Sequence, residues 1–136
     1  MVHPKLPMIA ARAGAICYAA WGVFHMTVAY DIYVLAEAQT GMAQGRLYQM
    51  AAYMLTIAMF VAAVGLFGNW RNSRMAYWLN LCVAGWADGI WVLVVVLPGY
   101  VPLFRGLAPP AIFVLGAVLT TIAQRQMRPS VPLPQQ

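Results

Sequence analysis

Met75 to Leu97 reads MAYWLNLCVAGWADGIWVLVVVL, a run with one formal charge, Asp88, and otherwise almost wholly apolar. A bilayer's hydrocarbon core takes roughly 20 residues of helix, so this run has the length and character of a membrane crossing. It is not apolar all round. At about 100° per residue, Tyr77, Asn80, Ala84, Asp88 and Trp91 fall within a stripe about 80° wide. Leu79, Val83, Trp86 and Ile90 occupy the opposite face, suited to lipid or a neighbouring subunit. The polar stripe therefore needs other helices to cover it.

Three further stretches supply them: Met8 to Tyr30, Tyr48 to Phe67 and Leu107 to Ala123. With the first run they predict an all-α integral membrane protein, a four-helix transmembrane domain over residues 1–128. Its helices fall at about 8–30, 46–67, 75–97 and 107–126. Asp31 to Arg46, Gly68 to Arg74 and Pro98 to Gly106 read as loops by their turn chemistry. Residues 129–136, with Pro129, Pro132 and Pro134, read as a disordered tail. Polar or small stripes recur on the other helices: Gly14, Tyr18, Trp21 and His25; Gln49, Ala52, Thr56 and Ala63; Phe113, Gly116, Thr120 and Gln124. Inward stripes on all four predict a bundle with a polar interior.

Composition agrees with this reading. The 136 residues are 63% hydrophobic and 8% charged, with a mean hydropathy of +0.72. Soluble domains carry about 45–50% apolar and 25% charged residues. The net charge of +5 comes from isolated Lys and Arg beside apolar runs, with no basic stripe for phosphates, which excludes nucleic acid as a partner. Lys5, Arg12, Arg71, Arg74, Arg125 and Arg128 fall on one side, against Arg46 and Arg105 on the other. By the positive-inside rule both termini are cytoplasmic. The expected location is a bacterial inner membrane. The first run continues into Tyr30-Asp31-Ile32-Tyr33 without a small-residue cleavage site and is read as a helix, not a leader.

Functional expectations centre on membrane-depth polar groups. A charge there costs roughly 2.5 to 3.5 kcal/mol on insertion scales, so Asp88 must be paired, neutralised or facing a polar cavity. Two readings of Asp88 and His25 stay open. They form either a structural pair, or the acid and base of a buried pocket for a lipophilic molecule, completed by Asn80 and Tyr77. Cys17 and Cys82 read as core residues without a redox partner. Tyr30, Tyr33, Trp70, Tyr100 and Phe104 fit interfacial belts, and Asp31 and Glu37 a solvated rim. The chain has no GxSxG, phosphate loop or HExxH, and only two histidines, which excludes a multi-histidine metal site in one subunit.

His25-Met26-Thr27-Val28-Ala29-Tyr30-Asp31-Ile32 resembles the end of the first helix in the styrene oxide isomerase family. Gly85-Trp86-Ala87-Asp88-Gly89-Ile90 is similar to that family's third-helix segment, which has Asn at the Asp88 position. Arg105-Gly106-Leu107 resembles its loop before the fourth helix. The resemblance implies a trimeric membrane enzyme that rearranges an epoxide to an aldehyde with haem iron as Lewis acid. The family's axial His, two residues after an Arg, corresponds here to Tyr48 after Arg46. Tyrosinate ligates ferric haem, and Tyr48 is equally placed as an interfacial anchor. The family's substrate-holding Tyr corresponds to Val92. Three functions follow as expectations: a membrane isomerase acting on a small lipophile such as an epoxide; a small transporter or lipophile-binding protein with Asp88 as proton or cation site; and an accessory subunit of a larger complex. The first two would work as homo-oligomers.

Overall fold

A computed structural model describes residues 5–126, and among them there is no strand. Helix α1 spans Lys5–Glu37 and α2 spans Gly41–Ala63, continuing through a π-helical turn at Val64–Gly68 and a tight 3-10 turn at Asn69–Arg71. Helix α3 spans Arg74–Trp91 and continues as a π turn over Val92–Val96, and α4 spans Leu103–Gln126. All four are long and apolar enough to cross a membrane. Their outer surfaces expose Trp86, Phe104, Leu93, Phe67 and Val114. Apolar cover on that scale is what a bilayer accommodates and water does not.

The helices are longer than the sequence reading placed them. Only residues 38–40 separate α1 from α2, where Asp31 to Arg46 reads as a loop. The segment Asp31-Ile32-Tyr33-Val34-Leu35-Ala36-Glu37 contains no Gly or Pro, and its two acids are exposed, so nothing in it opposes helix. The chain turns where Gly41 takes φ +64°, a backbone conformation that L side chains resist. Helix α4 likewise begins at Leu103 and carries Pro109 and Pro110 inside it. The Pro-rich 129–136 tail, Arg128 and the side chain of Lys5 lie outside the described residues.

The four helices close a ring in which α1 packs on α2 and α4, and α3 packs on α4 and on the lower part of α2. Small residues permit this. A Cβ on Gly22 would lie 2.7 Å from both the Ala58 carbonyl oxygen and the Ala62 methyl. One on Gly14 would lie 2.6 Å from the Thr120 methyl and 3.0 Å from the Gly116 carbonyl oxygen. Backbones at such range are the packing that lipid solvent favours, since apolar side chains alone give helices no reason to leave it.

The inward face of α2 differs from the stripe expected. Ala51, Ala58, Val61 and Ala62 are buried, whereas Gln49, Ala52, Thr56 and Ala63 face outward. The outward polar groups satisfy themselves along their own helix. Thr56 Oγ1 donates to the Ala52 carbonyl at 2.8 Å, and Gln49 bridges Arg46 and Tyr53. A hydroxyl bonded to its own backbone no longer needs a polar neighbour, so α2 is free to turn its smallest residues to α1. Cys82 is also exposed, off the buried line through Asn80, Ala84 and Asp88, and is no core residue.

Candidate functional site

The ring is tied across its centre by one side-chain bond. Trp21 Nε1 on α1 donates to Asp88 Oδ2 on α3 at 3.0 Å. Trp21 has no exposed surface and Asp88 only 4%. Trp21 sits with Tyr18, Val61 and Ala84 in the core, so its indole reaches the carboxyl through a packed, buried layer. Asp88 Oδ1 is buried with no partner, leaving the carboxyl half satisfied.

His25 lies one turn beyond Trp21 and stacks on it, ring centroids 3.7 Å apart and planes 27° apart. Its Nδ1 lies 2.9 Å from the Trp21 carbonyl oxygen. A carbonyl oxygen only accepts, so Nδ1 carries the proton and Nε2 of the neutral ring keeps its lone pair. The same tryptophan thus bonds Asp88 through its indole and orients His25 through its backbone and ring face. Among the described residues no hydrogen bond or ion pair joins His25 to Asp88. The sequence stripes placed Trp21 beside His25 without marking it as the partner of Asp88; the indole N–H, a donor that cannot be satisfied within its own helix backbone, is the signal that was there to read.

Asn80 and Tyr77 do not join this cluster. Asn80 is two turns, about 12 Å, along α3 from Asp88. Its Nδ2 lies 3.2 Å from the Val61 carbonyl oxygen and 3.5 Å from Asn69 Oδ1. Tyr77 stands at the edge of α3 against α4, its hydroxyl 3.1 Å from Thr121 Oγ1. Trp91, on the same stripe, donates to the Gly106 carbonyl oxygen at 2.8 Å. That oxygen is available because the residue four further along is Pro110, which has no N–H to give it.

The buried amides have only one workable orientation. Asn80 Nδ2 faces two oxygens, so turning either amide over would set like groups together. Among the described residues, the buried side-chain atoms left without a hydrogen-bond partner are Asn69 Nδ2, Asn80 Oδ1, the Tyr18 hydroxyl and Asp88 Oδ1. Gly65 lies against both Tyr18 and Asn80, which sets these two residues beside each other where α1, α3 and the end of α2 meet. Buried polar atoms without partners are uncommon in proteins and mark positions for water or a ligand.

Tyr48 stands apart from all of them. With Met26, Tyr30, Tyr33, Ala51 and Leu55 it lines an open groove of about 770 Å³ between α1 and α2. Its ring packs against that of Tyr33, centroids 5.2 Å apart. Counting from the level where Trp21 meets Asp88, Tyr30 and Tyr33 lie past the end of α3, so the groove belongs to the projecting end of the α1–α2 hairpin. The haem implied by the resemblance would need more than this. None of the groove-lining residues is basic to meet its propionates, and His25 is turned into the bundle. Lined by these residues alone, the groove does not fit that group. Among the described residues no set of three His, Cys, Asp or Glu side chains gathers to hold a metal ion.

Comparison with protein-family models, with curated proteins and with solved structures found no match, so the site stands on its own geometry.

Proposed function

We propose that the chain is a membrane-embedded isomerase-type enzyme acting on a small lipophilic molecule, with Asp88 as its central acid–base group. One observation carries this reading: a carboxyl at membrane depth held by a neutral indole through one oxygen, with the other unspent. Among the described residues the other side-chain hydrogen bonds between helices use neutral groups: Asn80 to Val61, Tyr77 to Thr121, Asn72 to Gln124 and Trp91 to Gly106. An acid at the one remaining crossing supports a role that needs acidity. Isomerising an epoxide to a carbonyl takes a proton on the ring oxygen as one C–O bond breaks, a hydride shift to the carbon so freed and return of the proton from the carbonyl oxygen. A carboxyl that lends and regains one proton therefore suffices without a co-reactant. Substrate would come from the bilayer, since the site is walled by apolar helices.

The test is an assay of the protein in vesicles with a panel of lipophilic epoxides, reading carbonyl products by mass spectrometry. Asp88→Asn keeps an amide oxygen for the Trp21 indole, so the bundle stays intact while the proton-transfer group is gone. Turnover should fall by about 10² to 10⁴. Wild-type protein giving no product, or Asp88→Asn turning over within twofold of wild type, would refute the reading.

A second reading, a proton-coupled transporter, is favoured by the buried polar atoms without a partner that the bundle holds besides Asp88 Oδ1, on Tyr18, Asn69 and Asn80. Proton transfer by way of such groups would reach the carboxyl from the end of the bundle that holds Arg71 and Arg74. Uptake into vesicles that depends on a proton gradient and vanishes in Asp88→Asn would select this reading over the enzyme.

Charge supports an orientation for either. Arg12, Arg71, Arg74 and Arg125 gather at one end, and Asp31, Glu37, Arg46 and Arg105 at the other. The basic end, and with it both termini, then faces the cytoplasm of a bacterial inner membrane. Thiol labelling of Ser73→Cys, with Cys17 and Cys82 replaced, should succeed only from that side.

A further inference from the structure

On the outer face of α3 and α4 lies a second groove, of about 350 Å³, that changes character along its length. Its membrane-depth portion is walled by Leu81, Phe113, Val114 and Val118. One turn from its end Thr121 lines it, paired with the Tyr77 hydroxyl at 3.1 Å, and at the end stands Arg125. Apolar, then hydroxyl, then cation is the order in which a phospholipid presents acyl chain, ester region and phosphate. The groove is also at the basic end. Asn72 donates to the Ala123 carbonyl and accepts from Gln124, which brings the α2–α3 turn, with exposed Arg71 and Arg74, against the end of α4. No described residue pairs with Arg125, and the acids of the described chain are elsewhere: Asp31 and Glu37 at the far end, Asp88 buried.

We infer that the α3–α4 groove is a binding site for one anionic phospholipid, with an acyl chain along Leu81, Phe113 and Val118 and the phosphate at Arg125. The occupant is chosen by charge complementarity. A zwitterionic lipid fills the same apolar wall but brings a second cation among arginines that pair with no acid among the described residues. A helix from a partner protein would cover the wall and leave Arg125 unmatched unless it carried an acid at that level. Arg125 is exposed on the last turn of α4, where a cation also sits favourably against the helix carbonyls, so it is held in place without being consumed.

The experiment reconstitutes the full chain in vesicles of equal phosphatidylglycerol and phosphatidylcholine with matched acyl chains, then reads retained lipid by native mass spectrometry after gentle detergent release. Wild type should retain one phosphatidylglycerol in preference to phosphatidylcholine. Arg125→Gln should lower that preference about five-fold, the contribution of one basic side chain at a membrane surface. Val118→Trp, which fills the groove from an exposed position, should remove the retained lipid of either kind. Equal retention of the two lipids by wild type overturns the proposal. So does an undiminished preference in Arg125→Gln that disappears only when Arg71 and Arg74 are neutralised, because the charge would then be diffuse. Retained phosphatidylglycerol unaffected by Val118→Trp overturns it as well, placing the lipid elsewhere.

Discussion

Trp21→Phe removes a single N–H from the middle of the bundle. The indole bond to Asp88 Oδ2 is 3.0 Å long, both residues are buried, and the other carboxyl oxygen already lacks a partner. Two magnitudes compete for the size of the effect. Interhelical hydrogen bonds inside a bilayer average about 0.6 kcal/mol with a maximum of about 1.7, because the separated helices also find partners. Bonds to an ionisable acceptor reach about 1.5 to 3 kcal/mol, and stripping the last partner from a buried carboxyl leaves the whole group unsatisfied. Loss of the last partner places Trp21→Phe in the upper range, at about 2 kcal/mol including the small void from the lost ring. Asp88→Leu should cost less, since only one indole N–H is orphaned and an apolar group of similar size replaces the acid. The double variant should recover part of the loss, because neither partner is then unsatisfied. A double-mutant cycle, read by reversible unfolding in mixed detergent, should give a coupling of about 1 to 2 kcal/mol. Additivity within about 0.3 kcal/mol would mean the bond contributes nothing, and the central tie would have to be abandoned.

Other perturbations test the neighbouring arguments. Gly22→Val should force α1 from α2, where even a Cβ meets the Ala58 carbonyl oxygen at 2.7 Å, at a cost of about 1 to 3 kcal/mol in the same unfolding assay. Trp91→Phe should destabilise wild type by about 1 kcal/mol but have almost no effect in Pro110→Ala, where a restored N–H serves the Gly106 carbonyl; equal costs in both backgrounds would refute the proline argument. Thr56→Val should change stability by less than about 0.5 kcal/mol, while Asn80→Leu, which leaves the buried Asn69 side chain without its partner, should cost about 1 to 3.

The sequence carried the fold through length and the helical period. On α1, α3 and α4 the inward residues could be read because polar and small side chains shared one face, as with Tyr18, Trp21 and His25 or Asn80, Ala84 and Asp88. On α2 the same rule pointed the wrong way. Polarity marks an inward face only when the polar group needs a partner from another helix, and Thr56 and Gln49 do not. Alanine is the better guide there, since Ala51, Ala58 and Ala62 lie where backbones meet. The helix ends were misread for a related reason: Asp31 and Glu37 are charged but sit past the apolar layer, where charge does not interrupt a helix. At the site, the spacing placed Asp88 inward but could not pair it, because register between α1 and α3 is set by contacts with α2 and α4 that no single stripe encodes.

The choice of tryptophan as the partner of Asp88 constrains what the carboxyl is for. A basic partner would hold the group as a permanent carboxylate, and a second donor would satisfy both oxygens and close the site. The indole does neither: it has one hydrogen, no charge and a rigid ring fixed by burial in the Tyr18, Val61 and Ala84 layer. It therefore orients the carboxyl while leaving Oδ1 free, and that arrangement tolerates both protonation states. Protonated, Asp88 has a hydrogen to donate from Oδ1 while Oδ2 keeps the indole; deprotonated, it keeps the same tie and offers Oδ1 as acceptor. A group that exchanges its proton without losing its anchor does not disturb the bundle each time it does so. That property would serve the acid–base or proton-carrying role proposed for Asp88, whereas a purely structural contact would be met equally by the amide of Asp88→Asn. If Asp88→Asn left both catalysis and proton-linked uptake untouched while preserving the fold, the carboxyl would have no role that its amide could not fill.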